Sequence, residues 1–511
     1  MGAAQPLNWT AASTIDSAEW KRGSRLFAVK GLVAVVAVGG VAAGLGWIAS
    51  VWAIGTPRFL AEFFLALAVV VCAFRWRWGT YAVLVYVTVE GFVTNSLYPS
   101  VAPLFFKDVL LGATYIGFLG SIWTRRDRLK FQATALWPLV ALAALCAINS
   151  FNPQGVDPRV ALVGIRVLLF YTPLYLLGLT LASEAGVQAL TRVTRLILYT
   201  SLPITAYGVF QWVAGPGVTS AIGPGFARSI WVVGPEATPH PIYRPTSTFD
   251  FVGDFGAYLL FVTILAFAAL HMPLRRIERM LLVAVFVSAG VAVVVQSQRT
   301  TWVLLPVAAA GIYLLARDVR GILRALPIVG AGVLVAMQIG GPVLANRLPL
   351  LTSGLSAFSD RFYGSTGAGF QSVSPFSLNP LIGHGTGTAL GAIRYVTDGV
   401  VPSAFESGWF SPVYMFGICG LLVYIWLYGA VLSAAWQGIR PLRIDRHWVA
   451  IAVFCYLALT AIVTGPVNNP PTNVYFWFFA GLLGGLPRGA RRQAVLTGSA
   501  FMPEGKQSRP A

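Results

Sequence analysis

The sequence predicts an all-α polytopic membrane protein with about 14 transmembrane helices (12–14). Both termini are expected in the cytoplasm, and two long loops on the extracytoplasmic side. Three observations carry this. The 511 residues are 57% hydrophobic and only 11% charged, against about 25% charged in soluble domains. Apolar runs recur from residue 27 to residue 487. The basic residues are shared unequally between the connections of those runs.

Apolar segments of spanning length fall at roughly 31–54, 59–74, 81–97, 102–123, 132–150, 160–183, 190–213, 251–271, 279–297, 300–316, 323–341, 407–435, 447–466 and 472–487. With the N-terminus inside and the loops alternating, 26 of the 36 basic residues fall on the inner side, as the positive-inside rule requires. That bias and contact with anionic lipid account for the net charge of +18, so no nucleic-acid partner is needed. The organisation that follows is a cytoplasmic tail (1–26), an N-terminal transmembrane bundle (27–213), an outer loop (214–250), central transmembrane helices (251–341), a large outer loop (342–406), C-terminal transmembrane helices (407–487) and a second cytoplasmic tail (488–511). The first 26 residues lack the layout of a cleavable signal peptide. Both long loops contain Trp, Tyr, Phe, Pro and Gly, and loops of that length and character are usually functional. No internal repeat of the transporter type is visible.

Several classes of chemistry are disfavoured. Cys72, Cys146, Cys419 and Cys455 all lie inside apolar runs, with no spacing suited to zinc or a structural disulfide. No phosphate-binding loop of the GxxxxGK[ST] type is present, so direct use of ATP is not expected. Neither a cofactor nor a metal is predicted.

Ten basic residues escape the inner-side bias: Arg58, Lys107, Arg159, Arg166, Arg228, Arg244, Arg299, Arg347, Arg361 and Arg394. Arg58, Arg159 and Arg347 sit at span ends, where long side chains reach the interface. Arg166, in VALVGIRVLLFY, and Glu90, in VTVEGFV, fall within spans. Intramembrane charges mark function by default, and the plainer alternative is a structural Glu90–Arg166 pair that fixes helix packing. Arg299 lies in VVVQSQRTTWVLL, at the outer end of a span and beside both long loops. Arg244 ends the first loop, and Arg361 lies in the second beside Asp360. An arginine fork grips phosphate oxygens at two points, so such a set on one outer face suits a diphosphate. Among the outer acids, Glu406 (PSAFESGWF) stands where the second loop returns to the membrane. Partial desolvation there would suit a general base, while a helix-dipole acid is the plainer alternative.

Four stretches together resemble the O-antigen ligase/polymerase family: LFFKDVLLG (104–112), RPTSTFDFVGDFGAYLLF (244–261), QSQRTTWVLL (296–305), and NPLIGHGTGTALG (379–391) followed by FESGWFSPVYMFGICGLL (405–422). The resemblance implies an all-helical glycosyltransferase of the bacterial cytoplasmic (inner) membrane with its active site facing outward. It implies transfer of a glycan from an undecaprenyl-diphosphate carrier to an acceptor hydroxyl, with neither nucleotide sugar nor catalytic metal. The implied roles are Arg299, Arg244, Arg361 and Arg166 on the diphosphate and Glu406 as base. Asp254, His384, Lys107, Asp108 and Glu90 are secondary candidates. Ligases of the family carry a loop histidine where this chain has Glu406, which tilts the expectation toward a polymerase of O-antigen, capsule or exopolysaccharide. Ligation to a lipid A core is the alternative, and a chain-length regulator and a flippase are the expected partners beside membrane lipids. A different class, a lipid-linked oligosaccharide flippase, fits the span count but predicts short loops.

Overall fold

A computed structural model of the chain describes residues 66–98, 102–125, 133–152, 157–228, 230–233, 242–318, 320–321, 379–389, 409–465 and 471–496. The expected spans at 31–54 and 323–341, the first tail, residues 497–511 of the second and most of the large loop lie outside the described residues, while 488–496, expected as tail, continue the last helix. What is described is a bundle of apolar helices, as expected. The helices are α1 (Trp76–Ser96), α2 (Phe106–Arg125), α3 (Ala133–Asn149), α4 (Pro158–Leu169), α5 (Leu174–Ala185) and α6 (Val187–Ile222). They continue as α7 (Pro224–Arg228), α8 (Val252–Leu270), α9 (Arg276–Gln296), α10 (Arg299–Leu315), α11 (Asn379–Ile382), α12 (Phe410–Ile444), α13 (Trp448–Leu459) and α14 (Thr472–Leu496). Among the described residues, five stretches have the length and composition to cross a membrane: 158–185, 187–222, 252–270, 276–296 and 411–444. Shorter apolar helices at 135–149, 300–315 and 448–463 accompany them.

Local chemistry sets the ends. Pro158 opens α4 with its φ already helical, and the Asp157 carboxylate accepts the Arg159 N–H at 2.8 Å. Gly186, at φ 57° and ψ −138°, turns α5 directly into α6. The segment expected as one span at 160–183 is two helices, because Phe170–Pro173 form turns rather than helix. Pro173 has no N–H to give and disfavours helical geometry at Thr172. Where the outer loop is expected to begin, at 214, α6 instead kinks at Gly215 and runs on to Ile222. A two-stranded antiparallel ribbon follows, β1 (Trp231–Val233) with β2 (Ile242–Arg244), in the register Trp231↔Arg244.

Packing inside the bundle relies on small residues. Lipid tails are as apolar as Leu, so helices associate through close contact rather than through a hydrophobic drive. A Cβ on Gly178, Gly481, Gly485 or Gly489 would strike the carbonyl oxygen of Phe478, Tyr175, Leu179 or Ala182 respectively. The GxxxGxxxG face of α14 thus lies against the backbone of α5. The pairs advance together, so the two helices run parallel. Beside them stands an aromatic column of Tyr258, Phe261, Tyr456, Tyr475 and Phe479, with Phe261 4.5 Å from Tyr456 and 5.0 Å from Tyr475.

Candidate functional site

The polar break QSQRTT is a tight corner. α9 ends at Gln296, Ser297 takes the left-handed conformation at φ 58°, Gln298 caps the next helix, and Arg299 is the first residue of α10. The expected tight turn between two spans is what the chain forms at Arg299. Gln296 is fully buried and knits the corner: its Nε2 donates to the Val252 carbonyl at 2.6 Å and its Oε1 accepts the Gln298 N–H at 3.0 Å. Thr301 donates to the Gly256 carbonyl at 3.2 Å. A Cβ on Gly256 would strike the Gln298 side-chain amide, which would have to move aside. Arg244 comes in from β2 and donates from Nε to the Gln296 carbonyl at 3.0 Å. Two of the predicted diphosphate residues are therefore joined through one corner.

After Arg244 the chain does not stay at the surface. Thr246, Ser247 and Phe249 are buried between α1, α6 and α8. Non-helical backbone at this depth must find its hydrogen bonds within the protein. The Ser247 N–H donates to Gln211 Oε1 at 2.7 Å, Gln211 Nε2 donates to the Ser247 carbonyl at 3.4 Å, and Ser247 Oγ donates to the Ile204 carbonyl at 2.6 Å. Thr248 donates to the Thr88 carbonyl, and its own carbonyl accepts the Phe92 N–H at 2.8 Å. Gly91 lets α1 touch the Phe249–Asp250 backbone. Asp250 is exposed, and Asp254 sits half-buried in the first turn of α8.

A second non-helical segment enters at GHGTG. Gly383, Gly385 and Gly387 have φ of 69°, 108° and 89°, a region that glycine alone adopts freely. The segment is wedged between α3, α4 and α12. The N–H groups of His384 and Gly385 donate to the carbonyls of Tyr414 (2.9 Å) and Met415 (3.0 Å). Thr386 Oγ1 donates to the Cys146 carbonyl at 2.8 Å, and Asn152 Nδ2 donates to the Gly383 carbonyl at 3.1 Å. Two glycines meet where the segment crosses α4: a Cβ on Gly164 would lie 2.6 Å from the Gly387 Cα. The carbonyls of Tyr414 and Met415 that receive these bonds lie just before Gly417, at φ 62°, where α12 kinks. The His384 ring stacks on Tyr414 at 4.1 Å and 8°, with Nδ1 3.2 Å from the Tyr414 carbonyl. A carbonyl only accepts, so Nδ1 is the donor, and in the neutral ring the lone pair is then on Nε2.

Between the two segments lies a set of intramembrane charges. Lys107 and Asp108, adjacent in the first turn of α2, face different partners. Lys107 pairs with Glu90 of α1, and Asp108 pairs with Arg166 of α4, with Arg166 Nε donating to Asp108 Oδ2 at 2.7 Å. The expected alternative of a Glu90–Arg166 pair is thus corrected: the consecutive Lys-Asp of α2 splits the two charges and neutralises each. Tyr171, in the turn after α4, donates to Asp108 Oδ1 at 3.0 Å, and the Arg166 guanidinium lies 4.8 Å over the Phe105 ring.

Arg244, Arg166, Lys107, Asp108, Glu90, Asp254 and His384 thus gather at one end of the bundle, the end that holds the Arg299 corner. The side chain of Arg299, together with Arg361 and Glu406, lies outside the described residues. Gln211, Gln296 and Tyr171 were missed by reasoning on charge alone. The signal available for the glutamines was a lone amide in an apolar run, which a membrane helix keeps only when it has a partner. Among the described residues no group of acids, histidines and cysteines could hold a metal ion. No family model matches the sequence, and no curated protein is similar to it.

Proposed function

We propose that the chain is a glycosyltransferase that polymerises, or ligates, undecaprenyl-diphosphate-linked oligosaccharide at the outer face of a bacterial cytoplasmic membrane. The observation that carries the reading is the convergence of two largely buried non-helical segments, 245–249 and 383–389, with a set of charges and the Arg299 corner at one end of the bundle. Irregular backbone and intramembrane charge are both costly in hydrocarbon and persist where they build a site. In this reading Arg299 and Arg244, with Arg361 and Arg166, meet the diphosphate. The acceptor hydroxyl attacks the anomeric carbon, the sugar–phosphate bond breaks, and the diphosphate leaves with its added charge held by the guanidinium groups. A preorganised donor of that kind is worth roughly 3–4 kcal/mol in the transition state. The acceptor proton goes to Glu406. His384, with its lone pair on Nε2, is the next base in line, followed by Asp254.

Arg299→Ala is expected to abolish polymer, read as chain length on gels, while the protein remains in the membrane. Arg299→Lys is expected to be nearly as poor, because an ammonium cannot reproduce the fork. Near-normal polymer from Arg299→Lys would remove the bidentate role. The break at Phe170–Pro173 favours a second reading, transport of the same lipid-linked oligosaccharide, since transporters build sites from interrupted helices. Flipping of a labelled lipid-linked oligosaccharide in vesicles, with no change in chain length, would select it.

A further inference from the structure

The two ion pairs of α2 differ in a way that assigns them different work. Lys107–Glu90 is closed, with side chains 9% and 11% exposed. Arg166–Asp108 is half open: the Arg166 side chain is 27% exposed and its guanidinium lies over Phe105, itself 49% exposed. Arg166 directs Nε and Nη2 at Oδ2, while Oδ1 accepts the Tyr171 hydroxyl at 3.0 Å. A guanidinium spanning both oxygens of a carboxylate is the stronger arrangement.

We propose that Asp108 is an internal substitute for an anionic ligand on Arg166, held by Tyr171 so that a diphosphate group can displace it. The inference rests on the proposed function for the identity of the anion, and it makes Asp108 and Tyr171 positioning residues. On arrival the diphosphate takes both donors of the fork, and Asp108 keeps its bond to Tyr171 instead of being left bare. Leaving a buried carboxylate without any partner would otherwise oppose the exchange. Lys107 takes no part, since Glu90 neutralises it out of reach of solvent.

The test uses the full chain in nanodiscs and two probes, inorganic pyrophosphate and farnesyl diphosphate, with binding measured by calorimetry. Asp108→Asn removes the competing charge and is expected to tighten binding at least about tenfold, the scale of one charge-assisted hydrogen bond. Tyr171→Phe has the opposite effect. It frees Oδ1, lets Asp108 engage the whole fork, and is expected to weaken binding several-fold. A merely structural role for the triad would move both variants in the same direction. The gain in Asp108→Asn should vanish in Asp108→Asn/Arg166→Gln. Gain with both probes assigns recognition to the diphosphate itself, and gain with farnesyl diphosphate alone assigns it to a lipid headgroup, each in support. An unchanged or weaker Asp108→Asn, or a gain that survives loss of Arg166, overturns the proposal. Should Asp108→Asn fail to fold, unchanged binding in the near-isosteric Tyr171→Phe overturns it alone. Polymer formation by the Arg299 variants judges the glycosyltransferase reading separately, so either can fall while the other stands.

Discussion

The two ends of the bundle handle charge differently. At the end rich in basic residues, ion pairs lie mostly at the rim: Arg77–Glu184 at 2.6 Å and Arg446–Asp318 at 3.7 Å have arginine side chains 45% and 54% exposed. Arg195–Glu278, at 3.3 Å, is the exception, with side chains 15% and 9% exposed, as buried as the pairs of the opposite end. At the opposite end Lys107–Glu90 and Arg166–Asp108 are sunk among helices, beside backbone that is not helical at all. Rim charges serve topology and lipid contact, at little energetic consequence. Sunken charges cost desolvation, which helix packing alone does not require. Buried charge occurs at both ends; buried charge beside irregular backbone marks one end alone among the described residues.

The contrast can be tested from its strongest consequence downward. Lys107→Met leaves Glu90 buried without its partner and is expected to cost about 3–5 kcal/mol, seen as a large drop in thermal stability in detergent. Lys107→Met/Glu90→Leu should recover most of that, and failure to recover would mean that the pair does more than neutralise itself. Gln211→Leu deprives the Ser247 peptide of both its amide partners and should cost about 1–3 kcal/mol. It should also lower activity beyond the stability loss, because 244–251 leads into the Arg299 corner. At the rim, Arg446→Ala should change stability by less than about 1 kcal/mol; a larger loss would abolish the distinction between the ends.

The smallest effect concerns pH. His447 caps α13 in the short turn after α12, its Nδ1 accepting the Ala450 N–H at 3.3 Å. Burial pushes its pKa down from 6.5 to about 4. The unfolded chain therefore binds the extra proton first. Stability is complete above pH 6.5, falls as pH drops toward 4, and changes no further below that. His447→Asn keeps a capping acceptor without a titrating group and should flatten the dependence of melting temperature on pH in that window.

Much of the site could be read from the residues alone. QSQRTT is too short for an ordinary loop, which puts Arg299 at a corner between spans, and the helices end at Gln296 and resume at Arg299. The turn geometry of GHGTG follows from its glycines. The partnering of charges could not be read. Glu90 and Arg166 were natural partners by depth, yet adjacent residues of α2 point at different helices and claim one each. Nor did the apolar runs reveal that α6 continues past 214, or that 245–249 is buried: a stretch such as RPTSTFD has the composition of a surface loop.

The class of protein, the expected direction of its spans and the charges that needed explaining were all legible in the sequence. Those depend on local quantities: apolar length against bilayer thickness, and basic residues counted loop by loop. The tertiary structure alone decided which charge faces which, and which irregular backbone lies inside. Those depend on contacts between residues far apart in the chain, such as Arg166 with Asp108, Gln211 with Ser247 and Asn152 with Gly383. A buried polar group accepts any partner of suitable chemistry within reach, and reach is set by how the helices pack.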